Sequence, residues 1–129
     1  MAESDKNTIL VVDDNQDAAY TVGLFLELKG YVVHTRNSGK DALEAVEALR
    51  PELVILDLAM PEMDGYETAT LLRASHGPAL PIIALSGYGQ QEDIRRSSEA
   101  GFNAHLVKPV DFVALIDLLN SFLGNPSPN

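Results

Sequence analysis

The stretch Thr8-Ile9-Leu10-Val11-Val12-Asp13-Asp14 is a short run of branched and apolar residues stopped at once by two acids. A continuous apolar run, rather than an alternating one, reads as a strand buried on both faces, the habit of parallel sheets. The pattern recurs downstream. Leu53-Val54-Ile55-Leu56 ends at Asp57, Pro81 to Leu85 ends at Ser86, and Ala104 to Val107 ends at Lys108-Pro109. Tyr31 to Thr35 reads as a further strand, second in chain order.

Between these runs the apolar spacing becomes helical. Residues Asn15 to Lys29 carry Ala18, Val22, Phe25 and Leu26 on one side, and Gly30 stands where a helix-ending glycine belongs. Ser38, with Asp41 three residues on, caps a second helix with the stripe Ala42, Ala45, Val46 and Leu49, and Pro51 bars its extension. Met60-Pro61-Glu62-Met63-Asp64-Gly65 is loop chemistry. A third helix is expected over Tyr66 to Ser75, closed by His76-Gly77-Pro78. Gly87-Tyr88-Gly89 reads as a flexible turn, and Gln91 to Ala100 as a polar helix ended by Gly101. Asp111 caps a last helix that runs to Leu123.

Strand and helix thus alternate five times within one domain, residues 8–123, flanked by flexible termini at 1–7 and 124–129. Such alternation implies an α/β fold, a doubly wound parallel sheet with helices on both faces. The flavodoxin-like order 2-1-3-4-5 is the natural candidate among the strand orders that fit.

Composition narrows the function. There are no cysteines, which excludes disulfides, thiolate metal sites and cysteine nucleophiles, and His34, His76 and His105 lack metal-ligand spacing. With 19 acidic against 9 basic residues the net charge is −10, which disfavours nucleic acid and favours cationic ligands or basic partner surfaces. No stretch approaches the length of a membrane span, and the polar N-terminus lacks a signal-peptide core, so a cytoplasmic location is expected. The chain ends at Asn129 without a second core, so any output is expected to be borrowed from another protein or a parent chain.

The first polar groups after the apolar runs are Asp13 and Asp14, Asp57, Ser86 and Lys108. Open α/β sheets bind ligands at the carboxyl ends of their strands where the order reverses. In the order 2-1-3-4-5 that crevice lies between strands one and three, which brings Asp13 and Asp14 beside Asp57. Carboxylates about 4 Å apart repel by roughly 4 kcal/mol at an effective dielectric near 20. A proton or a cation must relieve this, and a hard divalent ion suits an all-oxygen set. Lys108 adds a fixed positive charge and Ser86 a hydroxyl. Together they make a cradle for a tetrahedral anion, and a carboxylate can serve as nucleophile in phosphoryl transfer.

The motifs Val11-Val12-Asp13-Asp14, Ile55-Leu56-Asp57 with Met60 to Gly65, Ala84-Leu85-Ser86 and Lys108-Pro109 together resemble the receiver domain of two-component response regulators, over about residues 8–123. The resemblance implies that Asp57 is the phosphoacceptor, that Asp14 binds Mg²⁺ (or Mn²⁺) directly and Asp13 through water, and that the Ala59 carbonyl completes the metal site. It implies that Ser86 and Lys108 bind the phosphoryl group and that the Lys108–Pro109 bond is cis. The donor would be a histidine kinase or a histidine phosphotransfer protein, and the β4-α4-β5-α5 face would switch for a downstream output protein. The chain would assist its own phosphorylation and dephosphorylation rather than act as a turnover enzyme.

His105 departs from the family's usual Tyr or Phe three residues before the lysine. It is either a titratable version of that rotamer switch or an edge-strand histidine facing solvent. Ala59 and Tyr88 hold positions that tune dephosphorylation in the family. Neither offers a charged group to orient water, so slow phosphoryl loss is expected. The stretches around Ser86 and Lys108 also resemble receivers attached to hybrid histidine kinases, whereas the initial Met and polar tail favour a stand-alone regulator. The last helix carries more apolar residues than one stripe requires, which suggests a partner face or a weak homodimer through α4-β5-α5. A flavin carrier is disfavoured because Asp13-Asp14-Asn15 would repel a flavin phosphate. An aspartate phosphatase is disfavoured because Ala59 replaces its second acid. The remaining alternative is a non-phosphorylated pseudo-receiver acting as a protein-interaction module.

Overall fold

The structure, a computed structural model, describes residues 7–87 and 91–124. Ten elements alternate along the chain: β1 (Thr8–Val12), α1 (Gln16–Leu28), β2 (Val32–Arg36), α2 (Gly39–Leu49), β3 (Leu53–Asp57), α3 (Gly65–His76), β4 (Ile82–Ser86), α4 (Gln91–Ala100), β5 (Ala104–Val107) and α5 (Phe112–Leu123). The five strands are all parallel and lie in the order β2-β1-β3-β4-β5. This is the flavodoxin-like topology anticipated from the alternation. The expected turn at Gly87-Tyr88-Gly89 falls partly outside the described residues, and so do most of both termini.

Element ends differ from the sequence reading by about a residue, for local reasons. Asn15 was assigned to the first helix but caps it instead, its side-chain oxygen accepting from the Ala18 N–H. Asp64 does the same for α3, which therefore starts at Gly65 rather than Tyr66. Short polar side chains compete with the backbone for hydrogen bonds and so favour caps over helix interiors. Tyr31 was expected in the second strand. Its N–H instead bonds the Leu26 carbonyl, closing α1, and its ring is buried. Ser38 caps α2 by accepting from the Asp41 N–H, as expected.

Strand alternation divides the core between the two sheet faces. On one face Ile9, Val11, Leu53, Ile55, Ile83 and Leu85 pack against Ala19, Val22 and Leu26 of α1 and Leu115 and Leu119 of α5. On the other, Leu10, Val12, Val54, Leu56, Ile82 and Ala84 pack against Ala42 and Val46 of α2 and Ala69 and Leu72 of α3. The apolar surplus of α5 is largely accommodated: Phe112, Ile116, Leu118, Phe122 and Leu123 pack partly buried against the first cluster, while Val113 is 73% exposed. A clearer exposed stripe lies on α1, where Tyr20, Leu24 and Leu28 follow at i, i+4 and i+8 with exposures of 66%, 43% and 77%.

The loop after β3 folds back tightly on the strand it leaves. The Gly65 N–H bonds the Leu58 carbonyl at 2.9 Å, and a Cβ on Gly65 would collide with the Asp57 carbonyl oxygen and the Leu58 Cα. Both obstacles are backbone, so they cannot swing away. Gly65→Ala is expected to lower stability by about 1–3 kcal/mol, the usual cost of overpacking. Urea unfolding should show a lower midpoint at unchanged slope, and an unchanged midpoint would contradict this close approach.

Candidate functional site

The register of the sheet assembles the site. Val12 pairs with Leu56, so the next residues, Asp13 and Asp57, face each other across the β1–β3 seam. Asp57 itself pairs with Leu85 and Ser86 with Val107, which leaves Ser86 and Lys108 one step beyond on the neighbouring strands. One carboxylate oxygen from each of Asp13, Asp14 and Asp57 lies within 4.8 Å of the other two. Asp13 and Asp57 are buried, whereas Asp14 is exposed and opens the cluster to solvent.

Lys108 reaches into this cluster. Its Nζ lies 3.0 Å from Asp13 Oδ2 and 3.3 Å from Asp57 Oδ1, with a third of the side chain exposed. The Lys108 N–H bonds the Ser86 carbonyl at 2.7 Å, and the Lys108–Pro109 peptide is cis. Asp13 is held from several sides. Its Oδ1 accepts from the Asn15 N–H, its carbonyl from Asn37 Nδ2, and its own N–H donates to the Arg36 carbonyl. Asp57 Oδ1 also faces the Ala59 N–H at 3.4 Å, with Ala59 itself exposed at the start of the loop. Beside Asp13 and Lys108 opens a cavity of about 300 Å³ whose walls include Thr21, Leu85 and Phe112.

Burial pushes the Asp57 carboxyl up to about 6 from its ordinary 3.8, and the charge of Asp13 adds to the effect. Lys108 and the Ala59 N–H oppose it. For Lys108, burial acts to lower the pKa, but the bond to Asp13 and the charges of Asp57 and Asp13 outweigh it, so the ammonium is held above its usual range. The cluster is thus short of positive charge, with one lysine shared between two buried carboxylates. A hard, all-oxygen donor set with an open side fits a divalent cation such as Mg²⁺ or Mn²⁺.

Ser86 ends β4, where the alternation of that strand turns it toward α4 rather than α1. His105 shares that side of the sheet. It does not face solvent from the edge strand: its Nε2 lies 2.9 Å from Ser86 Oγ and its Nδ1 3.2 Å from Ser97 Oγ of α4. Ser97 and Asn37 were not singled out from the sequence. Asn37 lies in a loop with no pattern to mark it, and the only signal for Ser97 is a small hydroxyl in an otherwise highly charged helix. Tyr88 lies outside the described residues.

Comparison with known proteins agrees with this geometry. The family described as the response regulator receiver domain matches residues 9–120. An uncharacterized 14.6 kDa protein encoded in the sodA1 3' region of Leptolyngbya boryana is 41% identical over 115 residues, covering 88% of each chain. The response regulator MprA of Mycolicibacterium vanbaalenii is 31% identical over 94% of this chain, which spans only 52% of that protein's length. The crystal structure of a putative response regulator from Chloroflexus aurantiacus superposes with a TM-score of 0.87 at 30% identity, over 93% of this chain and 99% of that one.

The raised pKa of Asp57 makes stability depend on pH. An unfolded chain releases this proton near pH 4, whereas the folded chain keeps it up to about 6. Folding therefore binds a proton in that window, and ionisation of Asp57 weakens the fold progressively as pH rises through it. Asp57→Asn removes the ionisation. With a chelator present, the Tm of the variant minus that of the parent should grow as pH rises from about 4 to above 6, then level off. A difference that is flat across this range would show that Asp57 carries no such shift.

Proposed function

The chain belongs to the response regulator receiver domain family, and from that membership together with the acidic pocket we propose that Asp57 accepts a phosphoryl group from a phosphohistidine donor. An Asp57 carboxylate oxygen forms the bond to phosphorus as the bond to the donor's imidazole nitrogen breaks, leaving an acyl phosphate on Asp57 and the proton-bearing imidazole on the donor. The observation that carries this reading is the meeting of Asp13, Asp14 and Asp57 within 4.8 Å, with Lys108 bridging two of them. In this reading Asp13, Asp14, Asp57 and the Ala59 carbonyl hold Mg²⁺ or Mn²⁺, which supplies neutralising charge for the incoming anion. The Lys108 ammonium and the Ser86 hydroxyl bind the phosphoryl oxygens, and the Ala59 side chain, a methyl group, leaves attacking water unoriented. The fold contributes mainly positioning and charge, which is what phosphoryl transfer demands.

In this reading the donor is a histidine kinase or a histidine phosphotransfer protein, the signal passes on to an output protein, and the exchange takes place in the cytoplasm. The exposed stripe Tyr20, Leu24 and Leu28 lies on α1, the helix that follows the acidic pair, and suits an apolar helix of the donor laid beside the site. At the β5 edge of the sheet, Ile94 of α4, Val107 of β5 and Val113 of α5 expose apolar surface, which supports an output or weak homodimer contact through α4-β5-α5.

Incubation with acetyl phosphate and Mg²⁺ should add one phosphoryl group by intact mass. The gain should vanish with chelator or in Asp57→Asn, and labelling that survives in that variant would overturn the assignment. Leu24→Asp should leave acetyl phosphate labelling unchanged while slowing transfer from a phosphorylated phosphotransfer protein by about tenfold or more. Equal loss with both donors would mean that α1 serves the fold and not the partner.

A further inference from the structure

The three acids of the cluster are held in unequal ways. Asp13 is fixed on several sides. Its carboxylate accepts from the Asn15 N–H and meets Lys108 Nζ, its N–H donates to the Arg36 carbonyl, and its own carbonyl accepts from Asn37 Nδ2 at 2.9 Å. Asp57 closes β3 inside the sheet and also meets Lys108. Asp14 lacks such support. It is exposed, and among the described residues its carboxylate takes no hydrogen bond and no ion pair, yet one of its oxygens lies within 4.8 Å of the other two acids. Its place is therefore inherited from the backbone on either side.

Downstream, that backbone is set by Asn15, the cap of α1. Upstream it is set by the Asp13–Asp14 peptide, a rigid plane that carries the Asp13 carbonyl oxygen and the Asp14 Cα together. Turning the carbonyl swings the Asp14 Cα with it. Among the described residues, Asn37 is the side chain that holds this carbonyl. A carbonyl only accepts, so the amide nitrogen of Asn37, and not its oxygen, must face it. The loop that carries Asn37 is itself braced. Arg36 before it receives the Asp13 N–H, and Ser38 after it caps α2. Gly39 lies so close to α3 that a Cβ there would collide with Thr68 Oγ1 and crowd the Met63 side chain. The support of Asp13 is thus anchored against the loop that follows β3 and carries Ala59.

Mg²⁺ demands near-ideal octahedral geometry at short distances from its oxygens, so a small swing of one carboxylate matters. Groups that orient metal ligands without touching the ion commonly change affinity by about 10- to 100-fold when removed. We infer that Asn37 is a positioning residue for the cation site: its amide fixes the plane of the Asp13–Asp14 peptide and so aims Asp14 at the ion that Asp13 and Asp57 share. The inference rests on the reading of the acidic pocket as a divalent-cation site given above. It assigns Asn37 no contact with the cation or with the phosphoryl group.

Titration of the full chain with Mn²⁺, followed through the electron paramagnetic resonance signal of the free ion, tests this. Asn37→Ala deletes the donor. Asn37→Asp keeps the shape, sets an acceptor against the Asp13 carbonyl, and adds a negative charge near the pocket. Charge alone would tighten cation binding in that variant, whereas loss of the donor loosens it. Both variants should bind Mn²⁺ about tenfold more weakly or worse. Parental affinity in Asn37→Ala, or equal or higher affinity in Asn37→Asp, would overturn the inference and leave the cation site standing. Failure of the parent itself to bind Mn²⁺ would instead sink the cation reading and the inference with it. In a second arm, acetyl phosphate labelling is followed against Mg²⁺ concentration. The half-saturating Mg²⁺ should rise in both variants while the rate at saturation stays near that of the parent. A lower saturated rate at unchanged half-saturation would show that Asn37 serves the fold and not the cation.

Discussion

Lys108 is where the demands of folding and of function meet. Its Nζ lies within 3.3 Å of both Asp13 and Asp57, two carboxylates that the parallel register forces together at the end of the β1–β3 seam. Remove that cation in thought and the sheet ends in buried, mutually repelling charge, which proteins tolerate only when it is paired or neutralised by protonation. One ammonium shared between two buried acids is an incomplete answer, and Asp57 remains reluctant to ionise. The shortfall has a consequence for function. A pocket neutral enough to be comfortable when empty would have little to offer a divalent cation or the anion that follows it.

Much of this arrangement can be read without coordinates because two periodicities carry it. Unbroken apolar runs announce strands buried on both faces, and four of these runs stop at a polar residue of the candidate site: Asp13, Asp57, Ser86 and Lys108. Once strands alternate with helices the connections must run one way, and every strand end that bears a polar group falls on the same rim. The strand order is less legible, since several orders share this alternation. The order 2-1-3-4-5 is the usual one for a five-stranded doubly wound sheet, and the meeting of the acids follows from it rather than selecting it.

What the linear pattern leaves out are contacts made by single side chains across elements. Asn15 and Asp64 read as helix residue and loop residue, yet each caps a helix, because a short amide or carboxylate can bond the backbone wherever the chain leaves it room. Asn37 supports the Asp13 carbonyl from a loop 24 residues away, a separation at which periodicity carries no information. His105 was the instructive ambiguity. An edge strand suggested solvent, but whether an edge residue is wet depends on whether a helix covers that face, and here α4 supplies Ser97.

That last contact ties the end of the sheet to α4. Alternation along β1 and β3 sets Asp13 and Asp57 on the side of the sheet that packs against α1 and α5, while alternation along β4 and β5 sets Ser86 and His105 on the side of α4. The site therefore straddles the sheet at its rim. The acids and the helix that carries the exposed α1 stripe lie on one side of the sheet. The hydroxyl and imidazole lie on the other, bonded to the helix that carries Ile94 outward. Among the described residues, Ser86 and His105 tie the end of β4 to α4 by directional bonds rather than by packing alone. Directional bonds have discrete arrangements, which a continuous apolar core does not, and a two-state relay between the faces needs such elements.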